Sequence, residues 1–159
     1  MVNYPTENDR EAFREQLKVN ETVGNYYVSL IGLREYQTHS LIDAVHNGLS
    51  FQAYERFERN IALPKEQVLK LLHIPLRTLQ RRKREGSLHP DESDRLLRAA
   101  RVFGNVVSLF EGDYKAARDW FSSPLQALGD TSPIEMACTE LGAREVETVI
   151  GRLEYGIGL

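Results

Sequence analysis

Apolar residues recur three or four positions apart along most of this chain, the spacing of helices that bury one face. Caps and breakers divide the pattern into separate elements, such as Ser50 before one helix and Gly86 after another. The fold class predicted is therefore all-α. The predicted helices cover His39 to His46, Phe51 to Phe57, a segment opened by Pro64, a segment from near Leu76 to Gly86, a long segment from Pro90 through Phe110, and three short ones at Tyr114 to Phe121, Pro133 to Leu141 and Ala143 to Tyr155.

In two segments near the N-terminus the spacing of apolar residues is less regular. Residues 1–24 are polar, with a short amphipathic stretch through Ala12, Phe13 and Leu17, and we expect this segment to be mobile. The run NYYVSLIGL at residues 25–33 fits either a strand or a buried turn of helix, because so short an apolar run has no decisive period.

The long helix and the last helix each have an apolar stripe. Leu96, Ala100, Phe103, Val107 and Phe110 follow one another at alternating intervals of four and three, which suits a core or an interface between two copies. Both interpretations remain open from the pattern alone, with the core as the default. In the last helix the stripe is formed by Val146, Val149, Ile150 and Leu153, and a core role is again expected.

The segment from Pro64 to Gly86 has the pattern of a helix-turn-helix. Its apolar residues, Val68, Leu72, Ile74 and Leu79, are spaced so that two short helices joined by a tight turn share one buried seam. Two positions depart from the usual pattern. His73 occupies the turn where glycine is frequent, although histidine tolerates a positive φ, and Pro75 occupies the place of a capping Ser or Thr.

This segment also differs from the rest of the chain in its charge. The chain has a net charge of −3, yet seven basic and two acidic residues lie between Pro64 and Gly86. Arg77, Gln80, Arg81 and Arg84 share one helix face opposite Leu79, and Arg and Gln suit base edges in a major groove. The run Arg77, Arg81, Arg82, Lys83 and Arg84 contains no acid before Glu85, so we prefer an external anion to a merely solvated face. The predicted DNA-binding residues are Arg77, Thr78, Gln80, Arg81, Arg84, Lys65 and Lys83, and Lys70 is a further candidate for phosphate contact.

The rest of the composition argues against several classes of protein. The single cysteine, Cys138, allows no internal disulfide and reads as a small buried hydrophobe in a reducing cytoplasm. We find no signal-peptide layout, no 18-residue apolar run, and no metal-ligand or catalytic motif around the four histidines. The sequence therefore predicts a cytoplasmic, non-enzymatic protein with no cofactor, no metal and no membrane association. The chain ends in the uncharged sequence YGIGL, which suits either a frayed terminus or a peptide that docks elsewhere.

Beyond residue 100 the order of residues resembles a known family. The matching positions include Gly104, Trp120 and Pro124, then Thr131-Ser132-Pro133, Gly142 and the ending GRLEYG at residues 151–156; upstream, TLQRRKREGSL at 78–88 and ESDRLLRAA at 92–100 are similar as well. The chain resembles the Xre-MbcA-ParS antitoxin family over roughly residues 30–159. One departure is Phe121, where the family commonly has leucine after the tryptophan.

This resemblance implies an antitoxin of a type II toxin-antitoxin pair whose cognate toxin is a RES-domain enzyme that degrades NAD. The family implies a homodimer that binds operator DNA to repress its own operon. It also implies a C-terminal end that enters the toxin's active-site cleft. Carried onto this sequence, that role falls on Arg152, Glu154, Tyr155, Gly156, Ile157, Gly158 and Leu159. The implied domains are a mobile segment at 1–24, a helix-turn-helix domain at 25–105 and a small helical toxin-binding domain at 106–159.

One competing hypothesis shares the DNA-binding half. In it, the chain is a stand-alone transcription regulator whose C-terminal domain dimerises or senses a small ligand. The two hypotheses differ in what they require of the last five residues, since only the antitoxin needs Tyr155 to Leu159 for its action. The operator sequence, the toxin's identity and the stoichiometry of a complex do not follow from the sequence.

Overall fold

The structure is a computed structural model that describes residues 29–33 and 38–156. The expectations for residues 1–28 and for Ile157, Gly158 and Leu159 lie outside these ranges. The described part is all-α, and its only bridges of β type are isolated ones at Ser50–Ser87 and Leu125–Thr131. Its α-helices are α1 (Thr38–Asn47), α2 (Phe51–Ile61), α3 (Lys65–Leu72), α4 (Leu76–Glu85), α5 (Pro90–Leu109), α6 (Tyr114–Ser122), α7 (Pro133–Met136) and α8 (Glu140–Glu154), with a 3₁₀ turn at Gln126–Leu128.

The apolar run that fitted a strand or a helical turn takes the helical form where it is described. Residues 29 and 30 are helical and residues 31 and 32 form a turn. Leu30 and Ile31 are almost fully buried, and the Asn60 side chain donates a hydrogen bond to the Leu30 carbonyl at 2.9 Å. This contact attaches the segment to α2.

The long helix α5 is the central element of the fold. Pro90 at its first position, with Asp91 and Glu92 in its first turn, favours a helix start here. Its twenty residues span about 30 Å, and α1, α2, α3, α6 and α8 all pack against it. Leu96, Ala100, Phe103 and Val107 are at most 1% exposed, so most of the predicted stripe lies in the core of one chain.

The helix-turn-helix forms as the sequence predicts, with α3 and α4 joined by residues 73–75. Val68, Leu72, Ile74 and Leu79 are all buried. His73 adopts the left-handed conformation with φ 50°, and its N–H donates to the carbonyl of Lys70 at 3.2 Å. Pro75 occupies the N-cap of α4 without any capping side chain, so the turn rests on backbone hydrogen bonds and on the buried seam.

The predicted helix from Pro133 to Leu141 is wrong in its extent. Helix α7 ends at Met136, and α8 begins at Glu140 because the Thr139 hydroxyl accepts a hydrogen bond from the N–H of Gly142 at 3.0 Å. Gly142 therefore lies in the first turn of α8 and does not separate two helices. A Cβ atom at this position would collide with the Met136 carbonyl oxygen, so the glycine permits a close approach of two backbones.

Candidate nucleic-acid and partner-binding surfaces

The outward face of α4 carries exposed cations. Arg77, Gln80, Arg81, Lys83 and Arg84 are all exposed, as the sequence predicts. Arg81 alone of these has an intramolecular ion pair within the described ranges, with Nε 4.0 Å from a Glu85 oxygen, and both partners are about half exposed. An exposed pair of this kind contributes little to stability, so its arginine remains available to another anion. The surface can therefore present four positive charges to a polyanion.

Arg82 is the exception, and the expectation that the whole basic run is unpaired is wrong at this residue. Its side chain is almost fully buried on the opposite side of α4. Nε and Nη2 donate to the two carboxylate oxygens of Glu92 at 2.7 and 3.0 Å, and Nη1 donates to Glu85 at 3.0 Å. Arg82 also contacts His89 Nδ1 at 3.0 Å. This arginine fastens α4 to the start of α5 and is not available to DNA.

The contact between Arg82 and Glu92 shifts the pKa of both side chains. Burial alone would raise the pKa of the Glu92 carboxyl, but its hydrogen bonds from Arg82 and from the His89 N–H outweigh burial, and the pKa is lowered. The pKa of Arg82 is raised, chiefly by its hydrogen bond to Glu92. The charged form of the pair is therefore the stable one in the folded protein.

Two predicted DNA-binding residues lie away from the centre of the exposed α4 face. Thr78 is half-buried on α4. Lys65, at the start of α3, has its Nζ 3.7 Å from a Glu58 oxygen and is 47% exposed. Lys65, Gln80 and Lys83 line one recess between α2 and α4, so the structure brings these three together.

Leu76 lines the same recess and was missed by the sequence reasoning. It is the first residue of α4 and is half exposed. The sequence could have indicated its exposure, since Leu76 is an apolar residue that does not belong to the buried seam of Val68, Leu72, Ile74 and Leu79.

The turn of the helix-turn-helix contacts the C-terminal half of the chain. His73 Nε2 lies 2.9 Å from the carbonyl oxygen of Cys138, to which Arg98 also donates at 3.4 Å. Cys138 is partly buried, its thiol lies 3.6 Å from the Lys70 carbonyl, and burial raises the pKa of this thiol. Cys138 is thus a packing residue, although it lies between two helices and not within one.

Lys70 lines a cleft with Glu135 here, away from the cations of α4.

The C-terminal end of α8 is an exposed surface with an aromatic residue. Val146, Val149 and Ile150 are buried against the core, whereas Leu153 is 37% exposed. The predicted binding residues Arg152, Glu154, Tyr155 and Gly156 are all exposed, and Tyr155 reaches 83%. Gly156 has φ 65°, so the chain turns away from the helix axis there. The end of α8 thus carries a tyrosine side chain with no core role.

Other kinds of site find no support within the described ranges. No three His, Cys, Asp or Glu side chains come together there as metal ligands would. His39 and His46 are exposed on α1, and His89 is the N-cap of α5. None of the described helices has the length and apolar character needed to cross a membrane.

Two family models match this chain, one for each half. Residues 40–101 match the family described as the antitoxin Xre-like helix-turn-helix domain, and residues 99–156 match the antitoxin Xre/MbcA/ParS C-terminal toxin-binding domain. The two matches meet inside α5. The fold and its surfaces therefore define a helix-turn-helix protein with a helical toxin-binding domain.

Individual relatives extend over much of the chain. A protein named Antitoxin Xre from Yersinia enterocolitica is 38% identical over 128 residues, which cover 80% of this chain and 86% of the relative. A protein of the same name from Photorhabdus laumondii is 34% identical over 114 residues, which cover 71% of this chain and 77% of the relative. Another, from Pseudomonas putida, is 37% identical over 87 residues, which cover 54% of this chain and 54% of the relative. The chain belongs to the Xre/MbcA/ParS antitoxin family.

Proposed function

We propose that this antitoxin neutralises a RES-domain toxin that degrades NAD, by placing its C-terminal end in the toxin's active-site cleft, and that it represses its own operon. The observation that carries the proposal is the exposed Tyr155, which follows a helix whose Val146, Val149 and Ile150 are packed on the core. The protein acts by binding and has no catalytic activity of its own. Its place of action is the cytoplasm, where both the toxin's substrate and the operon are found.

Toxin binding falls to residues 152–159 in this proposal. The aromatic ring of Tyr155 supplies apolar area that is exposed in the free chain and is buried on binding. Arg152 and Glu154, on the last turn of α8, offer one positive and one negative charge to polar groups at the mouth of the cleft. Gly156 adopts the left-handed conformation, with φ 65°, and ends the described part of the chain. In this proposal Ile157, Gly158 and Leu159 also contact the toxin.

DNA binding falls to α3 and α4. The guanidinium groups of Arg77, Arg81 and Arg84 and the amide of Gln80 enter the major groove, while Lys65, Lys83 and Thr78 contact the backbone. A homodimer would present two such helices to half-sites about one helical turn apart. We assign residues 25–105 to this activity and residues 106–159 to toxin binding, a division that falls within α5 and joins the two activities by one continuous helix.

The alternative is a stand-alone regulator with the same DNA-binding half. The exposed stripe of α4 supports both functions equally, whereas the exposed Tyr155 favours the antitoxin. The two functions are separated by removing the last five residues. Under the proposal, a chain ending at Glu154 loses toxin neutralisation and retains operator binding.

The experiment co-expresses the cognate RES-domain toxin with the full chain, with the chain ending at Glu154, or with Ile42→Ala. The last variant is a matched control, since Ile42 is another exposed apolar side chain, on α1. Cell growth, cellular NAD and operator binding are measured for each. We expect the full chain and the control to preserve growth and NAD, and the truncated chain to fail while binding the operator normally. Full protection by the truncated chain would refute cleft insertion, and no protection by the full chain would refute the antitoxin activity toward this toxin.

A further inference from the structure

Leu76 is a large apolar residue that the fold covers only in part. It is the first residue of α4 and is 50% exposed, whereas Leu79, the other leucine of this helix, is 3% exposed. On α4 it is followed by Arg77 and, one turn later, by Gln80, which are both exposed, and it also lines the recess that includes Phe51 and Tyr54. A large apolar side chain kept half in water on a DNA-facing helix suggests that something apolar covers it in the bound state.

The first turn of α4 is held in a fixed position. Pro75 restricts the backbone before Leu76, and the N–H of Leu79 closes the turn on the Pro75 carbonyl at 2.9 Å. Further along, the buried pair of Arg82 with Glu92 fixes α4 to α5. In a helix-turn-helix the residues at the start of the second helix are the ones that reach base edges. Leu76 therefore stands at a base-reading position with little freedom to turn aside.

The chemistry of the major groove allows one partner for such a side chain. Leucine neither donates nor accepts hydrogen bonds, and the one apolar group that bases present in this groove is the C5-methyl of thymine. Gln80, one turn along the same side of the helix, has the donor and acceptor that adenine requires. We propose that Leu76 reads a thymine methyl group in each operator half-site; this inference rests on the proposed DNA binding.

The test removes single methyl groups from the DNA. Each thymine of the operator in front of the antitoxin's own gene is replaced in turn by deoxyuridine, which lacks only the C5-methyl. Affinities are measured for the full-length protein, for Leu76→Ala, and for Ile42→Ala as the matched exposed control. We expect the wild-type protein to lose about three- to tenfold in affinity at one symmetric pair of thymines. At these positions Leu76→Ala should bind the DNA with thymine and the DNA with deoxyuridine equally tightly. Ile42→Ala should behave as the wild type does.

Each contrary result has a distinct meaning. If the wild-type protein binds the operator but is indifferent to every replacement, Leu76 does not read a methyl group. The inference also fails if Leu76→Ala retains the wild-type sensitivity to the replacements. A change of oligomeric state in that variant would then place Leu76 under a second copy of the chain. If the wild-type protein does not bind the operator at all, the proposed DNA binding itself is wrong.

Discussion

Arg82 donates two hydrogen bonds to the carboxylate of Glu92, at 2.7 and 3.0 Å, and both side chains are almost fully buried. The pair joins α4, which carries the exposed cations, to the first turn of α5, which runs through both halves of the protein. The other arginines of α4 point outward, and this one sets the position of the helix that presents them.

Breaking this pair from one side should strongly destabilise the protein. Glu92→Ala leaves the Arg82 guanidinium buried without its main partner, and we expect the free energy of unfolding to fall by about 3–5 kcal/mol. Arg84→Ala is the matched control, since it removes an exposed arginine from the same helix and should change stability by less than about 0.5 kcal/mol. Urea denaturation of the two variants measures the difference. Equal stabilities would show that the pair does not hold α4 in place.

Stability should also depend on pH through Glu92. Its pKa is lowered below the ordinary value of 4.5, so the folded state binds this proton less readily than the unfolded state. Its contribution is therefore present above the ordinary pKa and is lost as the pH falls from about 4.5 through the lower pKa of the folded protein. Denaturation midpoints of the wild type and Glu92→Gln, measured from pH 7 down to pH 3, should converge as the pH falls. A constant gap over this range would contradict the assignment.

Two glycines of α8 should respond in opposite directions to the same substitution. Gly142→Ala places a methyl group against the Met136 carbonyl and should destabilise the protein by about 1–3 kcal/mol. Gly151→Ala meets no atom within 4 Å, and it should stabilise the helix by about 0.5–1 kcal/mol. Thermal and urea unfolding of both variants test this. A stabilising Gly142→Ala would mean that α7 and α8 do not approach as closely as described.

Much of this fold follows from short-range patterns in the sequence. The start of α4 at Leu76 and of α5 at Pro90, the left-handed His73 and the buried residues of α5 were all predictable, since each depends on residues within one or two helical turns. The face of α4 that carries Arg77, Gln80, Arg81 and Arg84 follows from the same periodicity.

The features that were missed depend on partners distant in the chain. The burial of Arg82 requires Glu92, ten positions later and across a turn, and a charge count over one helix does not reveal it. The contact of His73 with the carbonyl of Cys138 spans 65 residues and depends on how the two halves pack. The end of α7 at Met136 depends on the Thr139 cap and on the approach of Gly142, which a local apolar pattern does not distinguish from a continuous helix.

The central claim is that one chain carries two separable binding surfaces, cations on α4 for DNA and the end of α8 for the toxin. The most direct measurement determines the affinities of Arg81→Ala and Tyr155→Ala for both the operator and the toxin. Arg81→Ala should lose about 1–3 kcal/mol at the operator and bind the toxin as wild type does. Tyr155→Ala should lose at least about 2 kcal/mol at the toxin and bind the operator normally. If Arg81→Ala binds the operator as tightly as wild type, or Tyr155→Ala binds the toxin as tightly, the account is contradicted.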